Sequence, residues 1–335
     1  MPWELTLGSQ ARFGKVAARQ YVNEAGARGA LMANARQTAR TINSYGEVRV
    51  APLPGLWLSG GGIHSSGRRA VDNLLDPARS GAASFDSFSP KLGLLYAPVR
   101  DVQFYANYSR SVELPGLGEL NQTPITGLPG FVDLRPQRAW TAELGTRGQI
   151  GIAAWDISVY RATIRGEMLQ FSTSADIPAA TFNADRTRHQ GIEAGLDLAL
   201  APWAGLRQVY QYNDFRFRND GQYGNNRLPV VPPHQYRAEL RLGSERLSVT
   251  PNLQWVPRGA WADYVNSVRA PGYALFGLGA RATMSEGISL FVDARNLTGK
   301  KAVGDVSAVV QATATSAAFY PVERRAVYGG LRATF

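Results

Sequence analysis

Apolar and polar residues alternate with a period of two over many stretches of this chain, most plainly in its second half. From Leu247 to Trp255, the residues Leu247, Val249, Pro251, Leu253 and Trp255 alternate with Ser248, Thr250, Asn252 and Gln254. Just upstream, Tyr236, Ala238, Leu240 and Leu242 alternate with Gln235, Arg237, Glu239 and Arg241. Successive side chains of a strand point to opposite faces, so each stretch predicts a strand with one greasy and one wet face. Gly243, Ser244 and Glu245 between them read as a hairpin turn. The same pattern places strands at Val102–Tyr108, Ile192–Leu198, Ile288–Ala294 and around Val327, Leu331 and Phe335.

The connections alternate too. Short turns are predicted near Leu53–Gly55, Pro98–Asp101, Gly148–Gly151, Pro202–Gly205, Gly243–Glu245 and Ser285–Gly287. Between them lie longer polar stretches at 14–41, 71–87, 112–136, 173–186, 219–232, 257–269 and 297–320. Six short and seven long connections imply about fourteen strands. Short turns on one rim and long loops on the other are the habit of outer-membrane barrels. The expected fold is therefore an all-β, antiparallel transmembrane barrel. A soluble sandwich or propeller also alternates, but a sandwich lacks the strict long/short order of loops, and no blade-length repeat is present.

Composition sharpens this picture. Without cysteine, neither disulfides nor thiolate metal sites can form. No stretch approaches the ~20 apolar residues of a spanning helix, whereas barrel strands hide their apolar content in every second residue. The start, MPWELTLGSQARF, lacks the basic and apolar regions of a signal peptide. The formal charge of +10 raises nucleic acid as a partner. However, the cations are spread over nearly every segment rather than gathered in a patch, so none is expected.

Several segments resemble the TonB-dependent outer-membrane receptors. Ser89-Pro-Lys-Leu-Gly-Leu-Leu-Tyr-Ala-Pro98, followed by Phe104-Tyr-Ala-Asn-Tyr-Ser109 and Glu113-Leu-Pro115, is similar to the family's mid-barrel hairpin. Leu134–Gly145, Asn183–Glu193, Asn296-Leu-Thr298 and the closing Phe319–Phe335 look like its later strands. The resemblance implies a signal peptide, a TonB box, a plug and a barrel of about 22 strands in the whole receptor. Residues 1–335 would then be the C-terminal part of the barrel, with the plug and about eight strands missing, as a fragment or degraded gene. It also implies a location in the outer membrane of a Gram-negative bacterium. Expected partners are outer-membrane lipid, lipopolysaccharide, the barrel assembly machinery and, in the full-length protein, the TonB complex.

The resemblance further implies uptake of a scarce nutrient, foremost a ferric-siderophore or iron-carboxylate chelate, with no resident cofactor and no bond-making step. A passive porin-like channel and a soluble β-adhesin or lectin are the alternatives. Contacts to an anionic chelate are expected from arginines near the long-loop rim, chiefly Arg110, Arg138, Arg188, Arg218 and Arg227, since a guanidinium donates in a fixed fork and stays charged. Tyr223, Trp261 and Tyr264 are candidates for stacking on flat groups. His64, His189 and His234 lack metal-ligand spacing, and no HExxH, P-loop or GxSxG segment occurs. Asp156, Glu193, Asp197 and Glu239 fall on inward faces, where pairing with Arg is expected rather than acid catalysis. Phe335 resembles the terminal aromatic by which such barrels are recognised for assembly. Phe335→Ala is predicted to lower the amount recovered in an outer-membrane fraction, and unchanged insertion would count against that role.

Overall fold

The computed structural model describes residues 1–123, 129–172, 179–313 and 318–334. Fourteen strands form one antiparallel sheet in chain order. They are β1 Trp3–Glu24, β2 Ala27–Leu53, β3 Leu56–Asn73, β4 Gly81–Val99, β5 Val102–Glu113, β6 Gln137–Ile150 and β7 Ala153–Phe171. They continue as β8 Ala180–Ala201, β9 Ala204–Phe217, β10 His234–Gly243, β11 Leu247–Val256, β12 Tyr273–Ser285, β13 Ile288–Arg295 and β14 Ala326–Ala333. Every strand is hydrogen-bonded to its neighbours in the sequence, and the six tight turns lie on one rim, as the patterning predicts. No described helix is long and apolar enough to cross a membrane.

One connection differs from expectation. Residues 14–41, read as a long polar loop, are strand on both sides of a two-residue turn at Ala25 and Gly26. Both turn residues have positive φ, 51° and 91°, which matches the twist of a type I′ hairpin. The Asn23 side chain accepts from the Gly26 N–H at 2.8 Å and fastens the turn. These strands run 22 and 27 residues, whereas ~9–11 suffice to cross a bilayer. Beyond the lipid the outward face meets water, and the inward positions that are buried there, Ala33, Ala35 and Gln37, are small or polar, so the alternation that marks a strand disappears while the pairing continues. The stretch 71–87 is likewise mostly strand, with β3 reaching Asn73 and β4 starting at Gly81.

The register sorts the side chains into two faces. One row across the sheet reads Leu144, Val159, Ile192, Tyr212, His234, and the next reads Thr146, Ile157, Ala194, Tyr210, Tyr236, Trp255, Ala274. The intervening rows carry Glu143, Tyr160, Gly191, Asn213 and Gly145, Ser158, Glu193, Gln211, Gln235 on the opposite face. The apolar face is bare: Leu144 is 59% exposed and Leu331 63%, and Trp140, Trp255 and Leu290 are also exposed. Leu253 on the same face is half-buried. A water-soluble sheet would cover such a face, so its bareness identifies the lipid side.

Glycines let inward aromatic rings lie flat on the wall. The Tyr105 ring covers Gly145 directly opposite, and Tyr160 covers Gly191, at positions where a Cβ atom would collide with the ring. The sheet is not closed: among the described residues β1 pairs with β2 alone and β14 with β13 alone. Unpaired edges are untenable in hydrocarbon, so both require strand partners in the membrane.

Candidate binding mouth and inner wall

The inward face is lined by ion pairs and hydrogen bonds between adjacent strands. Arg49 meets Glu4 at 3.0 Å, Arg207 meets Asp197 at 2.8 Å, Arg147 donates to Gln103 at 2.8 Å, and Lys91 pairs with Glu47. Between β1 and β5 this wall forms a cavity of about 740 Å³, into which Arg12, Asn43, Ser65, Arg69, Lys91 and Ser109 project. Arg69 is buried and held by three carbonyls, Pro115 O at 3.2 Å, Arg40 O at 2.8 Å and Arg68 O at 3.1 Å, and Lys91 by its carboxylate. Arg12 stays exposed. The cavity is therefore a hydroxyl-rich surface that bears the exposed Arg12 guanidinium and, on its β5 side, the exposed Glu113 carboxylate, a chemistry suited to an oxygen-bearing solute that both accepts and donates hydrogen bonds.

Two loop systems converge on the long-loop end. The connection after β5 carries a single-turn helix, Leu117–Leu120, and packs Leu120 and Leu134 against Phe85 of β4. It is tied to β3 where Asn73 donates to Pro129 O at 3.2 Å. It also reaches β8, where Gln122 accepts from Thr181 N at 2.6 Å and donates to Thr181 O at 3.1 Å. From the other side, the loops at 257–272 and 296–313 dock on β7 to β9. Tyr223, Tyr264, Leu228 and Ala308 are buried there with Ala184 and Phe217. Tyr264 Oη donates to Gln170 O at 2.7 Å, and Ser172 N donates to Ala308 O at 2.7 Å. Burial, with Glu167 and Tyr223 nearby, pushes the Tyr264 hydroxyl up from its ordinary value, so it remains a neutral donor. Both systems meet at the upper ends of β7 and β8, and together they floor the mouth.

A buried carboxylate organises the second system. Asp263 is fully buried and accepts from Ser267 N at 2.8 Å, Ser267 Oγ, Val268 N at 3.4 Å and Ala312 N at 3.0 Å. Burial alone raises a carboxyl pKa, but the donors, led by Ala312 N–H and Ser267, outweigh it and hold Asp263 below the usual carboxylate range. The loop at 257–272 is thus riveted to the one before β14.

The residues singled out from the sequence fall into three places. Tyr223 and Tyr264 are buried, with ring centroids 5.5 Å apart, and Phe217 packs against Tyr223 at 4.8 Å while Phe182 meets Tyr264 edge-on at 5.4 Å. Trp261 is half-buried, with the Arg269 guanidinium 5.2 Å from its ring centroid. Arg218 is half-buried beside β8, where its N–H donates to Arg186 O at 2.9 Å. Arg110, Arg138, Arg188 and Arg227 lie on the outward face, because Arg110 pairs with Trp140, Arg138 sits two residues from it, Arg188 lies four before Ile192, and Arg227 bridges Arg216. Phe335 lies outside the described residues. Arg12 and Lys91, which line the cavity beside Arg69, were not anticipated. Their inward parity was readable from Leu5 and Leu7 or from Leu92 and Leu94, their apolar neighbours on the outward face.

Residues 1–297 match a family model described as TonB dependent receptor-like, beta-barrel. The chain belongs to this family. Solved structures of the same architecture include the ferric citrate transporter FecA in its unliganded form, at 17% identity and TM-score 0.80, covering 99% of this chain and 51% of that one. The copper transporter OprC aligns at 14% identity and TM-score 0.80 over 99% of this chain and 54% of its own. The ferric-catecholate import receptor Fiu from E. coli K12 aligns at 17% identity and TM-score 0.71 over 98% and 51%. This TonB-dependent receptor barrel thus spans about half the length of the solved proteins it matches. Membership places it among outer-membrane β-barrels of Gram-negative bacteria.

Proposed function

We propose that this receptor barrel takes part in uptake of a ferric chelate, a siderophore or iron carboxylate, with transport energised through TonB in a longer protein. The observation that carries the reading is the inner wall between β1 and β5, where hydroxyls surround exposed Arg12 and two tethered cations, with one exposed carboxylate, Glu113, at its edge. Oxygen-rich anionic chelates match such a surface, and the loop systems above supply a floor on which they settle. Its outward face sits in outer-membrane lipid, insertion proceeds through the barrel assembly machinery, and the two open edges are completed by further strand pairing. In this reading the barrel does no bond-making chemistry.

The test is titration of the folded chain in detergent with ferric catecholate and ferric citrate, followed by quenching of tryptophan fluorescence. Saturable binding, with Arg12→Ala weakening it about tenfold, is the expected result for loss of a charge-assisted contact. Binding indifferent to Arg12, or ion conductance in planar bilayers with no chelate binding, would replace the receptor reading with that of a passive channel.

A further inference from the structure

A second inward cavity, away from the β1–β5 wall, is not used by the transport reading. It holds about 250 Å³ between the upper ends of β10, β11 and β12 and the short strand Val303–Ser307 that covers them. Strand parity supplies its wall: Gln235 and Arg237 of β10 and Gln254 of β11 alternate with Tyr236 and Trp255 of the apolar face, and so point inward. Tyr273, opposite Val256, opens β12 on the same side. The cover is fixed by its own packing. Val306 is buried with Ala260, Ala262 and Ala270, and its neighbour Asp305 lines the cavity.

The polar groups here are a pair of unlike charges accompanied by neutral amides and a phenol. Arg237 and Asp305 line the same small space, yet they are not within ion-pairing distance of each other. Among the described residues Arg237 makes no hydrogen bond or ion pair, and Asp305 accepts only from the adjacent Val306 N, at 2.8 Å. Glu239, the next inward carboxylate along β10, stands opposite Arg207, which also holds Asp197 at 2.8 Å. It is engaged elsewhere. Gln254 donates to Tyr273 Oη at 3.3 Å, and the charges of Arg237 and Asp305 both act on that hydroxyl, with opposite signs. The cavity thus offers one cation and one anion, each without its counter-charge, within reach of a single phenol. At ~30 Å³ per water it has room for about eight waters, the bulk of an amino acid rather than of a ferric chelate.

We propose that this cavity binds a zwitterionic α-amino acid, with its carboxylate on Arg237, its ammonium on Asp305 and a polar side chain on the amides of Gln235 and Gln254. A guanidinium takes a carboxylate by two parallel bonds, and an ammonium has three donors to spend on a carboxylate and its neighbours. A solute with only one charge satisfies one end and meets a like charge at the other, so the same pair selects against it. The site uses no residue of the β1–β5 wall and stands apart from the chelate reading.

The experiment titrates the folded full chain in detergent with three solutes of nearly equal size, L-glutamine, N-acetyl-L-glutamine and L-glutaminamide, and follows binding by saturation-transfer NMR. The second lacks the ammonium and the third the carboxylate. Wild-type protein is expected to bind L-glutamine saturably and each blocked form about tenfold more weakly, for loss of one charge-assisted contact. Arg237→Gln is expected to make L-glutamine and L-glutaminamide equal while N-acetyl-L-glutamine stays weaker. Asp305→Asn is expected to do the reverse, equalising L-glutamine and N-acetyl-L-glutamine alone. This crossed pattern cannot arise from general loss of fold, which circular dichroism of each variant checks separately. No saturable L-glutamine signal, equal binding of the three solutes, or a preference that survives both substitutions overturns the site.

Discussion

Ala106→Arg is expected to lower the stability of the membrane-inserted barrel by about 2–4 kcal/mol, the cost of an arginine on the lipid face near the bilayer midplane. Ala106 sits on β5 between Leu94 and Leu144, on the bare apolar face. Its neighbour Asn107 points the other way, flanked by Gly93 and Glu143. Asn107→Arg places the same charge in water opposite a carboxylate, and its cost is expected to stay within about 0.5 kcal/mol. Urea titration of each variant in lipid vesicles, read by tryptophan emission, gives both numbers. The comparison changes nothing but the parity of one position, so equal losses from the two substitutions would contradict the assignment of faces on which the fold rests.

The second large effect is expected at Asp263. Asp263→Ala strips the buried acceptor from Ser267, Val268 and Ala312 and leaves their donors unpaired, at about 2–4 kcal/mol of local stability. Amide hydrogen exchange in residues 257–272 and 305–313 is expected to accelerate by roughly 30- to 1,000-fold, while β5–β7 amides stay unchanged. Protonation acts in the same direction. Because the folded carboxyl lies below its ordinary value, its contribution is fully present above the unfolded pKa of about 3.9 and is lost as pH falls through the lower folded value. Exchange in this loop is thus expected to be flat from neutral pH down to about 5, once corrected for intrinsic rates, and to rise only below about 4 in the wild type. Asp263→Asn, which cannot titrate, should remove that acid-dependent rise. Uniform acceleration across the barrel, or none, would mean that the carboxylate does not rivet the two loops.

How much of this was legible in the chain depended on what each face touched. Where one face met lipid and the other water, as at Leu247–Trp255, period two showed the strand and both of its faces. In the upper halves of β1 and β2 the outward face meets water and the buried inward positions are small or polar, such as Ala33, Ala35 and Gln37, so that residues such as Arg19, Gln20, Asn34 and Arg36 gave no alternation to read. Pairing there is held by backbone hydrogen bonds, which leave no mark on side-chain choice. The rim aromatics failed as guides for a related reason. Tyr223 and Tyr264 sit in segments with no periodicity, so the sequence could not tell rings buried by folded-back loops from rings left open to a ligand. The outward placement of Arg188 was legible in principle, since counting back by two from Ile192 gives Gln190 and then Arg188. Arg188 was instead taken with the rim arginines as a ligand contact, and the register shows it on the outward face of the sheet.

The hairpin of β1 and β2 has a consequence for the cell exterior. With roughly half of its length beyond the hydrocarbon, and strands tilted about 45°, its crest at Ala25–Gly26 stands on the order of 30 Å above the acyl region. A short peptide tag spliced into that crest would be displayed clear of the sugar layer on a stiff two-ribbon mast, accessible to antibody on intact cells without disturbing the solute path.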